Sequence, residues 1–538
     1  MLVAKAWVGQ AWLKSRNDMA ARGAWMEFLL PAGEKRTQMG MHRFSGILLI
    51  GLLLPMLASA RPFIVLVYNA ENLFDADSQA KFEDYQPARY SRQHVLTKVK
   101  NTAEIVSRFE NGRGPDVILF QELEMDISNS EEVPNYDAIL SRYSRVTIDE
   151  MLGDKFDEDV ADLPSEALLL KAMADRGLTG YNVVRGEDVR SEETKRGMAQ
   201  KCVVFTRFPV RKAISHPTFN ARAIQEVQVM VDGELLYLFN NHWKSGASSL
   251  KTEPTRVKNA QTLRTRLDEI FKDDPHADVI IGGDFNSQYN QKVRYPKMKP
   301  TGLNDILGSQ GNELAIRGKN RDLYNLWFEL PAEERGSDTY QGEWGTLMQV
   351  IISRGLYDQN GVQYVDNSFG VAKIPGLNID DTGLPIRWSF SGAGGRGFSD
   401  HLPIFAKFIT LNDDRPDRYI SLRNPSEDTG LASVNKIDYG KLDLEKIAMT
   451  MDQIPEGSSL RQEALIGKIV RVEGKVAAGS RLKVVLRNDV YDIWSFDSEL
   501  RKKLRNDYEK DDTMRFYGEL GLYKGRWQFI VRDASWVK

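Results

Sequence analysis

The sequence has a single cysteine, Cys202, among its 538 residues. A disulfide needs two cysteines, so an intramolecular bridge and a disulfide-framework protein are both excluded. Neither sign of charge is in excess, because 72 lysines and arginines oppose 75 aspartates and glutamates for a net charge of −3. The average therefore gives no overall signal for nucleic acid. With 42% hydrophobic and 27% charged residues, a disordered or collagen-like chain is also excluded, and the length predicts two or more domains.

Long hydrophobic runs are also scarce. The apolar segment Phe44–Leu57 covers 14 residues, fewer than the roughly 20 that a membrane-spanning helix needs. It follows the basic start Met41-His42-Arg43 and precedes Ala58-Ser59-Ala60, a pattern typical of a secretory signal peptide at 41–60 that is cleaved after Ala60. We therefore expect a secreted or periplasmic protein, with no membrane attachment after cleavage.

The forty residues ahead of this signal are unexpected, because an export signal normally begins at the initiator. We interpret 1–40 as a non-native extension from a misassigned start codon, with Met39 or Met41 as the true start. The alternative keeps Met1 and treats the apolar segment as a buried helix or an uncleaved anchor.

Between 61 and 410 the chain alternates short β-branched runs with helical spacing, which predicts one α/β sandwich domain with mixed sheets. The predicted helix is Val95–Phe109, and 133–180 is expected to be an insertion. The predicted strands are Phe63–Tyr68, Asp116–Gln121, Cys202–Thr206, Val227–Val231, Leu235–Asn240, Val279–Gly283, Val350–Ser353 and Ile404–Ile409.

A linker is predicted at 411–460 and a second domain at 461–538. The second domain has five short strands with a helix between the third and fourth, the order of an OB-fold barrel. It carries 17 basic and 12 acidic residues, a net charge of +5, so the rest of the chain carries −8. Aromatic residues alternate with these cations. They are either a platform for nucleic acid or the filling of the barrel interior.

Polar groups follow the predicted strands of the first domain, where loops present side chains to ligands. They occur in five motifs: NAENLFD (69–75), FQE (120–122), NNHWKS (240–245), GGDFNS (282–287) and FSDHLP (398–403). Each motif is weak alone, but all five occur at successive strand ends. In this order they resemble the endonuclease/exonuclease/phosphatase superfamily, which includes DNase I-like nucleases and several phosphatases.

The resemblance implies a four-layer α/β sandwich (DNase I-like) and hydrolysis of a phosphate ester with Mg²⁺ or Mn²⁺. It also assigns roles by motif position. The implied metal ligands are Glu122, Glu71 and Asp400. The implied catalytic residues are Asn69, His242, Asp284, Asn286 and His401, with Asp284 and Asn286 positioning water and His401 stabilising or protonating the phosphoryl group. The implied substrate contacts are Arg196, Asn241 and Lys244.

Two positions depart from the family pattern. Met348 stands where the family carries an aspartate that orients the histidine of the Ser-Asp-His motif. Either another carboxylate substitutes or turnover is weak. Ala199 and Gln200 occupy the region of a second expected aspartate, so the partner of His242 must come from elsewhere, with Glu192 and Glu193 as candidates.

The leading hypothesis is therefore an exported, metal-dependent nuclease acting on DNA or RNA, with nucleic acid as its partner. One alternative is a phosphatase or phosphodiesterase acting on a lipid head group or a small phosphate ester. The other is a nucleic-acid-binding protein with weakened catalysis.

Overall fold

The computed structural model describes residues 61–128, 134–189, 197–312, 323–358, 360–411, 435–455, 457–462 and 465–538. The predicted signal segment, the polar part of the linker and the candidates Glu192, Glu193 and Arg196 lie outside these residues. Within them, no helix is both long enough and apolar enough to cross a membrane.

Two seven-stranded sheets form the centre of the larger domain. The strands are β1 (Phe63–Leu73), β2 (Val117–Glu124), β3 (Asn182–Arg185), β4 (Gln200–Thr206), β5 (Val210–His216), β6 (Ile224–Val231), β7 (Glu234–His242), β8 (Asp278–Asp284), β9 (Ser309–Gln310), β10 (Leu323–Asn325), β11 (Asp338–Tyr340), β12 (Glu343–Gly345), β13 (Met348–Ile352), β14 (Gly361–Tyr364), β15 (Gly370–Val371) and β16 (Ile404–Leu411). The first sheet has the order β14-β16-β1-β2-β4-β3, with β15 beside β16, and the second has the order β5-β6-β7-β8-β13-β10-β9. Strands β11 and β12 form a separate hairpin.

Alternation along the strands produces three packed layers of core. On β1, Val65 and Val67 face the second sheet, whereas Leu66 and Tyr68 face a helical layer on the other side. Both sets are buried, which explains the continuous apolar run of this strand. Helix α6 (Glu253–Asp273) covers the outer face of the second sheet. The sandwich therefore has four layers, as predicted.

The helical layer over the first sheet includes the segment that we predicted to be an insertion. Helix α1 (Arg92–Ser107) is followed by α2 (Tyr136–Arg142), α3 (Ile148–Leu152), α4 (Glu158–Ala161) and α5 (Ser165–Ala174). Helices α3 and α5 share one apolar core with α1. A buried ion pair between Lys201 of β4 and Glu166 of α5, 2.9 Å apart, joins this layer to the sheet. The short helix α7 (Gln291–Arg294) follows β8 in the chain.

The C-terminal part forms a closed five-stranded barrel of order β17-β18-β19-β21-β20, consistent with the predicted OB-like order. After a short helix α8 (Leu444–Ile447), the elements are β17 (Ile469–Ala477), β18 (Lys483–Leu486), β19 (Asp489–Trp494), α9 (Ser498–Asp507), β20 (Thr513–Tyr523) and β21 (Arg526–Ile530). Among the aromatic residues of this domain, Tyr491, Phe516 and Phe529 fill the interior, whereas Trp494 and Phe496 are 40% and 62% exposed. The structure therefore confirms that three of these rings fill the barrel, whereas the nucleic-acid platform stays a prediction.

Candidate active site

The predicted site residues meet at one end of the two sheets. Strands β1 and β2 run parallel in the first sheet, and β7 and β8 run parallel in the second, so the carboxyl ends of each pair lie together. His242 is the register partner of Asp284 across β7 and β8. The register of β1 with β2 shifts beyond Asn69, which is a β-bulge or irregularity beside Glu122.

Three of these residues have a left-handed backbone. The φ angles are 48° at Glu71, 62° at Glu122 and 47° at Asn286. A non-glycine residue pays a conformational cost in this region, so such angles persist where surrounding contacts hold them. Gly283 has a φ of 138°, and a Cβ there would lie 2.1 Å from the backbone oxygen of Asn241. Only glycine fits between the two strand ends at this position.

Asn69 connects the two sheets at the site. Its side-chain amide donates to Glu122 Oε1 at 3.0 Å and to Asp284 Oδ2 at 3.1 Å. The backbone N–H of Glu71 donates to Asn69 Oδ1, and the Ser399 hydroxyl donates to the backbone oxygen of Asn69. The buried Asn69 therefore holds two carboxylates at a fixed separation.

A divalent cation fits beside these carboxylates. Among the described residues, Glu122, His242 and Asp284 form the one group of three whose potential ligand atoms all lie within 4.8 Å of one another. His242 Nε2 lies 3.6 Å from Glu122 Oε1 and 3.7 Å from Asp284 Oδ2. Ligands about 2.1 Å from one ion are separated by about 3.0 Å when adjacent and about 4.2 Å when opposite, so these spacings suit a shared ion.

Glu71 and Asp400 lie next to this group. Glu71 Oε2 accepts hydrogen bonds from the backbone N–H groups of Asp400 at 2.7 Å and Trp388 at 3.2 Å. Burial, followed by the charge of Asp400, raises the pKa of Glu71 to about 7. Lys98 donates to the backbone oxygen of Glu71, and burial lowers its pKa to about 8. The role of Glu71 and Asp400 as additional metal ligands stays a prediction.

His401 is a buried cation at this site. Its Nε2 lies 3.7 Å from both Asp284 Oδ2 and Asp400 Oδ1. Burial opposes the charge, but the carboxylates of Asp400, Asp284 and Asp338 outweigh it and raise the pKa of His401 to about 9. The imidazole is therefore protonated at neutral pH and can donate to a phosphoryl oxygen.

His242 has the opposite protonation state. Burial, the charge of Arg222 and the charge of His401 hold its pKa well below the ordinary value. A neutral imidazole can bind a metal ion or accept a proton. The two histidines thus supply one neutral and one charged ring on either side of Asp284.

The remaining predicted contacts differ in accessibility. Asn241 is fully buried, accepts a hydrogen bond from the Trp243 indole and donates to the backbone oxygen of Gly282. This geometry leaves no face for a substrate, so it does not support our expectation for Asn241. Asn286 donates its backbone N–H to Asp284 Oδ1 at 2.8 Å, which places it beside the predicted water position. Lys244 is only half-buried, and its role stays a prediction.

Sequence reasoning overlooked two residues that support the metal group. Gln200 donates to Glu122 Oε2 at 2.9 Å, and Arg222 donates to the side-chain oxygen of Gln200. Gln200 was noticed only as a departure from the family pattern. No motif marked Arg222, because its contact depends on the tertiary arrangement of the loop before β6.

A four-layer α/β sandwich with carboxylate, imidazole and amide groups at the ends of both sheets is the DNase I-like arrangement that the sequence motifs predict. The family model described as "Endonuclease/Exonuclease/phosphatase family" matches residues 201–410. This part of the chain is therefore similar to that family. No curated protein sequence matches the chain.

Several solved structures are similar to this chain. TDP2 from C. elegans is 15% identical, with 64% of this chain and 75% of that chain covered and a TM-score of 0.33. A D. rerio TDP2 complexed with single strand DNA product is 14% identical, with 64% and 98% covered and a TM-score of 0.34. An endonuclease/exonuclease/phosphatase family protein from Leptotrichia buccalis is 13% identical, with 64% and 99% covered and a TM-score of 0.35. Likenesses at this level carry no inference about substrate.

Proposed function

We propose that the protein is a divalent-metal-dependent phosphodiesterase that hydrolyses DNA or RNA with an activated water. The observation that carries the proposal is the group of Glu122, His242 and Asp284, held by Asn69 beside the buried ring of His401. Hydrolysis of a phosphodiester needs neutralisation of the phosphate and a positioned nucleophile, and these residues offer both.

Mg²⁺ or Mn²⁺ at this group would neutralise phosphate charge and polarise the phosphoryl group. Glu122 and Asp284 supply the oxygen ligands for such an ion, with His242 Nε2 as a nitrogen ligand that suits Mn²⁺ better than Mg²⁺. The mixed donor set is therefore a reason to test both ions.

The residues around the ion divide the remaining work. The Asp284 carboxylate is buried, and the backbone N–H of Asn286 donates to its Oδ1 at 2.8 Å. With Asn286 beside it, Asp284 orients the attacking water and takes its proton. His401 donates a hydrogen bond to the phosphoryl oxygen as negative charge develops, and its charge stabilises the transition state.

The case for a nucleic-acid substrate rests on the barrel. The Arg501 guanidinium lies 4.3 Å from the centre of the exposed Trp494 ring, and the Arg532 guanidinium lies 4.9 Å from that of Phe496. Exposed aromatic rings with guanidinium groups suit stacked bases and backbone phosphates. Lys468 of the barrel also lies 3.7 Å from Asp381, in the loop that carries Trp388 to the active site.

We further propose that the enzyme acts outside the cytoplasm, after cleavage behind Ala60. The proposal rests on the apolar and small residues of 41–60. N-terminal sequencing of protein recovered from the culture medium or the periplasm tests it. A mature terminus at Arg61 is expected, and an intact chain in the cytoplasm alone would contradict it.

A substrate panel tests the catalytic proposal. Supercoiled plasmid, single-stranded DNA, RNA, a phosphorylated lipid head group and a small phosphate monoester are each incubated with Mg²⁺, with Mn²⁺ and with chelator. We expect cleavage of at least one nucleic acid with metal and none with chelator. Turnover confined to the lipid head group or the monoester would favour the phosphatase alternative, and binding of nucleic acid without turnover would favour the third hypothesis.

A further inference from the structure

Met348 occupies the position where an aspartate was expected, and the structure shows an apolar role for it. Its side chain is fully buried in the core between the two sheets, and it is the register partner of Asp284 across β13 and β8. It therefore fills space beside the active site and offers no charge to an imidazole.

His401 nevertheless has a ring nitrogen without an identified partner. Its Nε2 faces Asp284 and Asp400, whereas its Nδ1 is buried and has no hydrogen-bond partner among the described residues. A ring nitrogen that is buried without a hydrogen-bond partner is costly. The environment of His401 thus calls for an acceptor on the Nδ1 side.

Asp338, in β11, is the buried acidic residue that is best placed for this task. Asp338 and His401 are partners in an antiparallel bridge, and the backbone N–H of Leu402 donates to the backbone oxygen of Ser337 at 2.6 Å. Directly opposed residues of an antiparallel pair project from the same face with Cβ atoms about 4.5–5.5 Å apart. The two side chains, 7% and 8% exposed, are therefore neighbours in a buried environment.

The hairpin around Asp338 provides space for its carboxylate. Across the hairpin, the register partner of Asp338 is Gly345. A Cβ at position 345 would lie 2.1 Å from Asp338 Oδ1. The backbone N–H of Leu347 donates to Asp338 Oδ2 at 3.2 Å, which holds one oxygen and leaves the other available. A side chain at position 345 would displace the carboxylate.

We propose that Asp338 is the positioning residue for His401, supplying from the β11–β12 hairpin the carboxylate that Met348 cannot supply from β13. The inference rests on the proposed hydrolase function. It names a residue that acts through His401 and does not touch substrate: a carboxylate on Nδ1 fixes the orientation of the ring, so that Nε2 points at the phosphoryl group.

The test begins with kinetics on the best substrate of the panel. Asp338→Asn keeps the shape of the side chain and an acceptor for the Leu347 N–H, but removes its charge. We expect kcat to fall about 100-fold or more, with KM within about threefold of wild type. Asp358→Asn is the matched control, because Asp358 is hydrogen-bonded to His276 Nδ1 away from the site. It should leave kcat unchanged.

A rescue separates positioning from general structural damage. Asp338→Asn combined with Met348→Asp restores one carboxylate beside His401 from the other strand, so kcat should recover at least tenfold over the single variant. Met348→Asp alone should give no increase over wild type, because the position of His401 is already set. A kcat for Asp338→Asn within threefold of wild type, or no recovery in a folded double variant, would overturn the proposal.

A spectroscopic readout keeps the inference separate from the proposed function. Protein labelled with ¹⁵N-histidine should show an exchange-protected Nδ1–H resonance that disappears in His401→Gln and in Asp338→Asn. If no substrate of the panel is hydrolysed but this resonance behaves as described, the positioning proposal stands and the proposed function fails. Absence of the resonance in wild-type protein, or its persistence in Asp338→Asn, would overturn the positioning role even when hydrolysis is observed.

Discussion

Asn69→Ala tests how the site is held together. The wild-type amide donates to Glu122 Oε1 and Asp284 Oδ2, which belong to different sheets. Asp284 is 2% exposed, so little water can replace the lost donor. Alanine adds no new group, and the variant therefore leaves two carboxylates close together with their shared donor removed.

The magnitude follows from the hydrogen bonds. Each hydrogen bond to a charged group contributes about 1.5–3 kcal/mol, so the loss of two predicts a fall of about 3–6 kcal/mol in the free energy of unfolding. A bound cation neutralises the same oxygens and stabilises the folded state by mass action. The deficit should accordingly shrink when Mg²⁺ or Mn²⁺ is present.

The assay is urea unfolding of wild type and variant, followed by tryptophan fluorescence, with chelator and with metal. Asn182→Ala is the matched control, because that amide donates to two neutral backbone oxygens, of Thr206 and Phe208, each at 3.2 Å. We expect a loss of about 1–2 kcal/mol for this control, independent of metal. An Asn69→Ala deficit below about 1.5 kcal/mol, or one that metal does not change, would refute the reasoning.

Three further predictions concern other parts of the chain. Burial opposes ionisation of Glu226, but hydrogen bonds from His216 and Arg266 outweigh it and lower its pKa to about 2. The unfolded carboxyl titrates near 4.3, so this stabilisation is present above that pH and is lost as the pH falls towards 2. Between pH 5 and 2, wild type should lose about 2 kcal/mol more in urea unfolding than Glu226→Gln, after allowance for solvent screening, and equal losses would contradict this. Gly283→Ala should leave little soluble protein, because its Cβ would meet the backbone of the neighbouring strand, and a wild-type melting temperature would contradict the geometry. Trp494→Ala should weaken single-stranded DNA binding about tenfold in fluorescence anisotropy, since stacking on one ring contributes about 1–3 kcal/mol, and unchanged affinity would count against a barrel platform.

Much of the fold could be predicted from local patterns. Strands such as β1 and β8 are buried on both faces, and their apolar runs mark them directly. Strand β5 was missed because its residues are exposed or half-buried, and an edge strand of this kind carries no apolar signal. The helices within 133–180 were treated as an insertion without assigned structure, yet Met151 and Leu169 belong to the same core as helix α1.

The site could be predicted where residues follow strand ends, as Glu122 and Asp284 do. Asp338 could not be assigned, because its relation to His401 depends on a bridge between a hairpin and a distant loop. The side-chain direction of Asn241 also required the structure, since its amide lies on the strand face that contacts Trp243. Motif order predicted which residues lie together, and the tertiary pairing added Asp338 as a neighbour of His401.

The central claim is that the group around Glu122 hydrolyses phosphodiesters with a divalent cation. It is tested most directly by measuring the cleavage of supercoiled plasmid against free Mg²⁺ and Mn²⁺ for wild type and Glu122→Gln. Asp149→Asn serves as a control, because its carboxylate is exposed and paired with Lys100. We predict saturable, chelator-sensitive cleavage in wild type and control, and loss of at least about 100-fold in Glu122→Gln. Cleavage by Glu122→Gln at the wild-type rate and with the same metal dependence would contradict the account.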